Sequence, residues 1–83
     1  MNHETSDDVS RLHQRLTSHG VLALAVTVDD ADPVQLVVYL HGMAGKLNQE
    51  KALSVIRSMP EVIRVRASRQ TPNILLVRLI PFG

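Results

Sequence analysis

Twice along the chain, a stripe of apolar residues at helical spacing is followed by two short runs of β-forming residues with a turn between them. The first stripe is Val9, Leu12 and Leu16, with Arg11 and Arg15 on other faces. Thr5-Ser6-Asp7-Asp8 ahead of it resembles a capping box, and its acids suit the positive end of a helix dipole. Gly20, after Ser18-His19, fits a helix stop. These signals predict a helix from about Asp7 to His19. Val21–Val28 and Val34–Leu40 then flank Asp29-Asp30-Ala31-Asp32-Pro33, a turn by composition, and predict a hairpin with a five-residue connection. In the second strand Val34, Leu36, Val38 and Leu40 share the face that must be core, leaving Gln35, Val37, Tyr39 and His41 on the other.

The second half has the same order. Gly42-Met43-Ala44-Gly45 is a connection, Asn48 is placed to cap a helix with Glu50 in its first turn, and Ala52, Val55, Ile56 and Met59 form its stripe. Pro60 ends it. Glu61–Ser68 alternates with period two, placing Val62, Arg64 and Arg66 on one face and Ile63, Val65 and Ala67 on the other. Gln70-Thr71-Pro72-Asn73 supplies a turn before Ile74–Ile80. No residue-level repeat accompanies the repeated order. The expected fold is α+β, in the order αββαββ: a four-stranded antiparallel sheet with two helices on one face and the other face uncovered.

The chain has 83 residues, enough for one domain, read as residues 7–83 behind a loose tail at 1–6. A domain this small is marginal on its own, and the absence of cysteine excludes disulfides and thiolate metal sites. Self-association is therefore an expected source of stability. The N-terminus lacks the basic start and apolar stretch of a secretory signal, and Val21–Val28 is far too short to span a bilayer. The expected location is cytoplasmic.

Charge is divided along the chain. Residues 1–32 hold six acids against Arg11 and Arg15, a balance of −4. Residues 33–83 hold seven cations, five of them arginine, against Glu50 and Glu61, a balance of +5. This division suggests a polarised surface that would steer an acidic partner or bring two copies together; the plainer reading is solubility alone.

Nothing in the sequence assembles a catalytic site. A cysteine nucleophile, a G-x-S-x-G elbow and an H-E-x-x-H pair are all absent, and the acid pairs Asp7-Asp8 and Asp29-Asp30 are explained by helix capping and a turn. His13 and His19 are six residues apart on one helix, roughly 240° around it, and so do not form a chelating pair. Gly45-Lys46 is followed by Leu47, so the glycine connection is no phosphate-binding loop of the Walker type. The chain is expected to be no enzyme and to take no metal, cofactor or small-molecule substrate.

The basic cluster is the sharpest feature. A turn centred near Thr71 sets Arg64 opposite Arg78 and Arg66 near Leu76. Like charges facing each other across strands are destabilising, so the arginines are either presented to something acidic or splayed into solvent.

Three stretches, Val38-Tyr-Leu-His-Gly-Met-Ala-Gly45, Gln49-Glu-Lys-Ala-Leu-Ser-Val-Ile56 and Met59-Pro-Glu-Val-Ile-Arg-Val65, resemble a BON domain over roughly residues 7–79. Leu40-His41-Gly42 matches that family's strand ending, and Pro60-Glu61-Val62-Ile63-Arg64-Val65 matches its entry to the next strand, except that Glu61 stands where a glycine is usual. The resemblance implies a non-catalytic module for protein or lipid interaction and transfers no functional residues. The expected function is protein interaction or oligomerisation, homodimerisation included, using the open sheet face or an edge strand, through Arg64, Arg66, Arg78 and Tyr39. The alternative is binding of a nucleic acid or anionic phospholipid through the same arginines. With Tyr39 and Phe82 its only aromatics, the chain offers little to stack on bases.

Overall fold

Leu12 and Leu16, one helical turn apart, are both buried and anchor α1 (His3–Ser18) to the sheet. The computed structural model describes the backbone of residues 3–80 and the side chains of residues 8–80. The helix starts four residues ahead of the expected position, so Thr5 lies inside it and residues 3–6 are helical backbone; Met1, Asn2 and residues 81–83 lie outside the described residues. Its stop is as expected. Gly20 takes φ of 77°, which a side chain would disfavour. Its N–H donates to the Thr17 carbonyl at 3.0 Å, and that of Val21 donates to the Leu16 carbonyl at 2.9 Å. This pair of bonds satisfies carbonyls that the helix end would otherwise leave open, and buries Val21 near Leu16.

Four strands follow in two hairpins: β1 (Ala23–Asp29) with β2 (Asp32–Leu40), and β3 (Val62–Ala67) with β4 (Ile74–Leu79). They form one antiparallel sheet in the order β1-β2-β4-β3. The first turn is only Asp30-Ala31, because β2 begins at Asp32 and carries Pro33 within it. Proline is tolerated there because pairing with β4 starts only at Gln35. Leu36, Val38, Leu75 and Val77 pack under Leu12 and Leu16 of α1 and Ala52 and Ile56 of α2 (Gly45–Arg57), each at 1% exposure or less. Both helices thus cover one face of an α+β fold. Among the described residues, no helix is long and apolar enough to cross a membrane.

Simple alternation fails at one place in β3. The ladder pairs Val62 with Leu79 and then Arg64 with Arg78, so Ile63 is an extra residue in a bulge. Val62 therefore packs against the core instead of sharing a face with the arginines, and Ile63 is 56% exposed. Asn48 is also not a helix cap. A short 3-10 turn, Gly42–Ala44, leads into α2 at Gly45, which leaves Asn48 in the helix interior and buried. Its amide clamps the backbone of Leu22: Oδ1 accepts from the Leu22 N–H at 2.8 Å, and Nδ2 donates to the Leu22 carbonyl at 3.0 Å.

The bulge has a twin. β1 slips between Ala23 and Ala25, leaving Leu24 as its extra residue, 39 positions before Ile63. That offset maps the first ladder from Ala23 to Val28 onto the second: Ala23–Leu40 becomes Val62–Leu79, Ala25–Tyr39 becomes Arg64–Arg78, and Val26–Val38 becomes Val65–Val77; the Asp29–Asp32 pair has no counterpart. It also maps the β2–β4 ladder onto itself, which places a pseudo-two-fold axis through the Val37–Leu76 pair. Core-facing residues match across it, with Val26/Val65, Leu36/Leu75, Val38/Val77 and Leu40/Leu79 identical. A residue-level repeat therefore exists where none was evident, confined to one face of the strands.

Candidate functional site

The uncovered face of the sheet consists of three cross-strand rows. Ala25, Tyr39 and Ile74 form the first; Thr27, Val37, Leu76 and Arg66 the second; Gln35, Arg78 and Arg64 the third. The expected register is observed: Arg64 stands opposite Arg78, and Arg66 beside Leu76. Tyr39 and Gln35 are four residues apart on β2, so the first and third rows are separated by roughly 13 Å. The four candidate residues thus share a face but not one spot. Arg64 and Arg78 lie at one end, Tyr39 at the other and Arg66 between, while the centre is the half-buried Val37–Leu76 pair.

Sequence reasoning missed Asp32, taken as a turn residue. Its Oδ2 accepts from Nη1 of Arg78, and its Oδ1 accepts from the Val34 N–H at 3.2 Å. Asp29, at the same end, accepts from the Gln35 amide at 2.8 Å. The Arg64–Arg78 pair is therefore not left for an outside acid to neutralise, because Asp32 engages one of the two. The clue in the sequence is that Gln35 and Arg78 fall opposite each other once β2 is extended back through Asp32. Among the described residues, Arg64 and Arg66 have no carboxylate within ion-pair reach.

The Arg78 guanidinium, assisted by the Val34 N–H, holds the Asp32 carboxyl below its ordinary value of 3.8. A carboxyl depressed by folding stabilises the fold above its unfolded-state value, and that contribution is lost as pH falls through the depressed one. Asp32→Asn is thus expected to flatten part of the acid limb of a stability–pH profile below about pH 4. An unchanged limb in denaturant titrations would show that the ion pair is too solvated to matter.

Both edges of the sheet are broken by the twin bulges, with Leu24 and Ile63 projecting 65% and 56% exposed. A bulged edge twists away and is a poorer template for another strand. The imidazoles serve local backbone where they bond: His19 Nδ1 lies 2.9 Å from the Arg15 carbonyl, and His41 Nδ1 accepts from the Met43 N–H at 3.3 Å. No protein-family model, curated protein or solved structure matches the chain.

Proposed function

We propose that this domain is a non-catalytic protein-interaction module that works through its open sheet face, self-association included. One observation carries the reading: a strip of side chains, Tyr39, Ile74, Val37 and Leu76, runs uncovered across the central strands with Arg64 and Arg66 along one border. Aliphatic and tyrosine groups at the centre with arginine at the rim are the side chains that contribute most to protein interfaces. Arg64 and Arg66 stay protonated at neutral pH and so are unsuited to proton transfer, and the Asp32 carboxylate at the same end is engaged by Arg78. The BON-like motifs of the sequence agree with a binding role.

Light scattering at low and high salt tests the reading. The expected result is a molar mass above 9.2 kDa that rises with concentration and persists in high salt, and that returns to 9.2 kDa in a folded Val37→Lys variant. An apolar contact resists salt, whereas binding of phosphates through Arg64 and Arg66 would weaken steeply with it. A monomer under every condition would overturn self-association, and a surface that binds only nucleic acid or anionic vesicles would overturn the protein-interaction reading.

A further inference from the structure

The pseudo-two-fold axis allows each position on the open face to be compared with a counterpart on the same backbone ladder. Core-facing counterparts are identical at four pairs, but the open-face pairs differ throughout: Ala25/Arg64, Thr27/Arg66, Gln35/Ile74, Val37/Leu76 and Tyr39/Arg78. The two hairpin tips differ in length, Asp30-Ala31 in the first and residues 68–73 in the second, but each is closed by a side chain of its leading residue. Asp29 Oδ1 accepts from the Ala31 N–H two residues on, and Ser68 Oγ accepts from the Thr71 N–H three residues on. Their charges are opposite, however, with Asp30 in the first tip where Arg69 stands in the second. Common packing thus explains the residues that agree, and leaves the arginines of the second half without a role in the core.

At the second tip the surface dips. Arg66, Ala67, Ser68, Arg69, Gln70 and Leu76 line an open depression of about 490 Å³. Among the described residues, neither Arg66 nor Arg69 is in an ion pair. The apolar side of the depression continues from Leu76 through Val37, and next to it the row from Ser68 passes through Ile74 to Tyr39.

We infer that this depression binds an acidic segment of a protein partner, with carboxylates at Arg66 and Arg69 and an apolar side chain on Leu76 and Ile74. The inference rests on the interaction-module reading and specifies the partner's chemistry. Guanidinium groups donate to carboxylates in paired, directional bonds, and Gln70 and Ser68 add neutral donors beside them. The aliphatic neighbours favour a peptide over a nucleic acid, because bases need aromatic faces and, among the described residues, Tyr39 is the only aromatic one on this surface. The counterpart corner, with Thr27 and Asp30 in place of the two arginines, would repel the same ligand and serves as a control within the molecule.

The test is a titration of the full ¹⁵N-labelled chain, followed by amide spectra, with an acetylated peptide of sequence Asp-Leu-Asp-Leu-Asp. Inorganic phosphate and the peptide Ser-Leu-Ser-Leu-Ser are titrated in parallel. The acidic peptide is expected to shift Arg66, Ser68, Arg69, Gln70, Ile74 and Leu76 and to leave Thr27 and Asp30 in place. The double substitution Arg66→Gln/Arg69→Gln is expected to weaken binding about tenfold or more, and Arg57→Gln, on the exposed side of α2, to leave it unchanged. The same spectra report whether each variant is folded. Shifts spread over Arg11, Arg15, Lys46 and Lys51, or equal binding of phosphate, would overturn the inference. Absence of peptide binding in a chain whose self-association is still abolished by Val37→Lys would overturn the inference alone; absence of both would overturn the interaction reading with it.

Discussion

Leu36→Ala and Leu75→Ala are expected to destabilise the domain by similar amounts, about 3 kcal/mol each. The two leucines are fully buried, lie on adjacent central strands and are exchanged by the pseudo-two-fold axis. Each truncation removes buried methyl groups and leaves a cavity that strands paired on both sides cannot collapse to fill. In the ladder the outer neighbour is Val28 beside Leu36 and Ala67 beside Leu75. Urea denaturation of the single variants checks this. A difference well beyond ~1 kcal/mol would show that the two halves share a ladder but not a packing environment. Domains of this length are stable by roughly 4–12 kcal/mol, so the double variant is expected to be largely unfolded.

Asn48→Ala is expected to cost about 2 kcal/mol, far more than its small loss of volume implies. The substitution removes both bonds to Leu22 and leaves the Leu22 N–H without its partner beneath a helix, while the Leu22 carbonyl keeps the His41 N–H at 3.0 Å. The bond is part-buried, so a donor left there without an acceptor bears part of its desolvation cost in addition to the lost bonds. The counterpart of Leu22 is Glu61, which is held by Arg11 of α1 at 3.0 Å. Each post-helix connection is thus gripped by the opposite half's helix, once by a buried amide and once by an exposed ion pair. Arg11→Ala is therefore the comparison, with an expected cost below ~1 kcal/mol. Equal effects for the two substitutions in thermal or urea denaturation would contradict the role assigned to Asn48.

Residue periodicity was enough to read the element order and most core-facing positions of β2 and β3, because burial repeats with the backbone. Leu36, Val38, Leu40 and Val65 are buried as expected, whereas Val34, expected in the core beside them, is only half-buried at the start of the sheet. Turn placement gave even the Arg64–Arg78 register. The rest depended on features that do not alter hydrophobic period. A bulge adds one residue and reverses the face of everything before it, so Val62 was assigned outward, and neither Ile63 nor Leu24 bears any mark of its role. Asn48 looks like a cap because capping and tertiary clamping use the same amide. Asp32 looks like a turn residue because Asp favours turns, and its partner Arg78 is 46 positions away. The 39-residue repeat escaped notice because only the inward half of each strand preserves it.

That repeat makes the chain the covalent counterpart of a two-fold dimer of αββ units, with β2–β4 as the subunit contact. In a true homodimer a substitution at one tip is obligatorily copied at the other, so a basic corner would come with a second basic corner. Tethering the units in one polypeptide keeps each at high effective concentration near the other and removes that obligation. Asp30 and Arg69 can then occupy equivalent positions, and the protein acquires a directional surface, with a front distinct from its back, on a scaffold whose interior remains nearly symmetric.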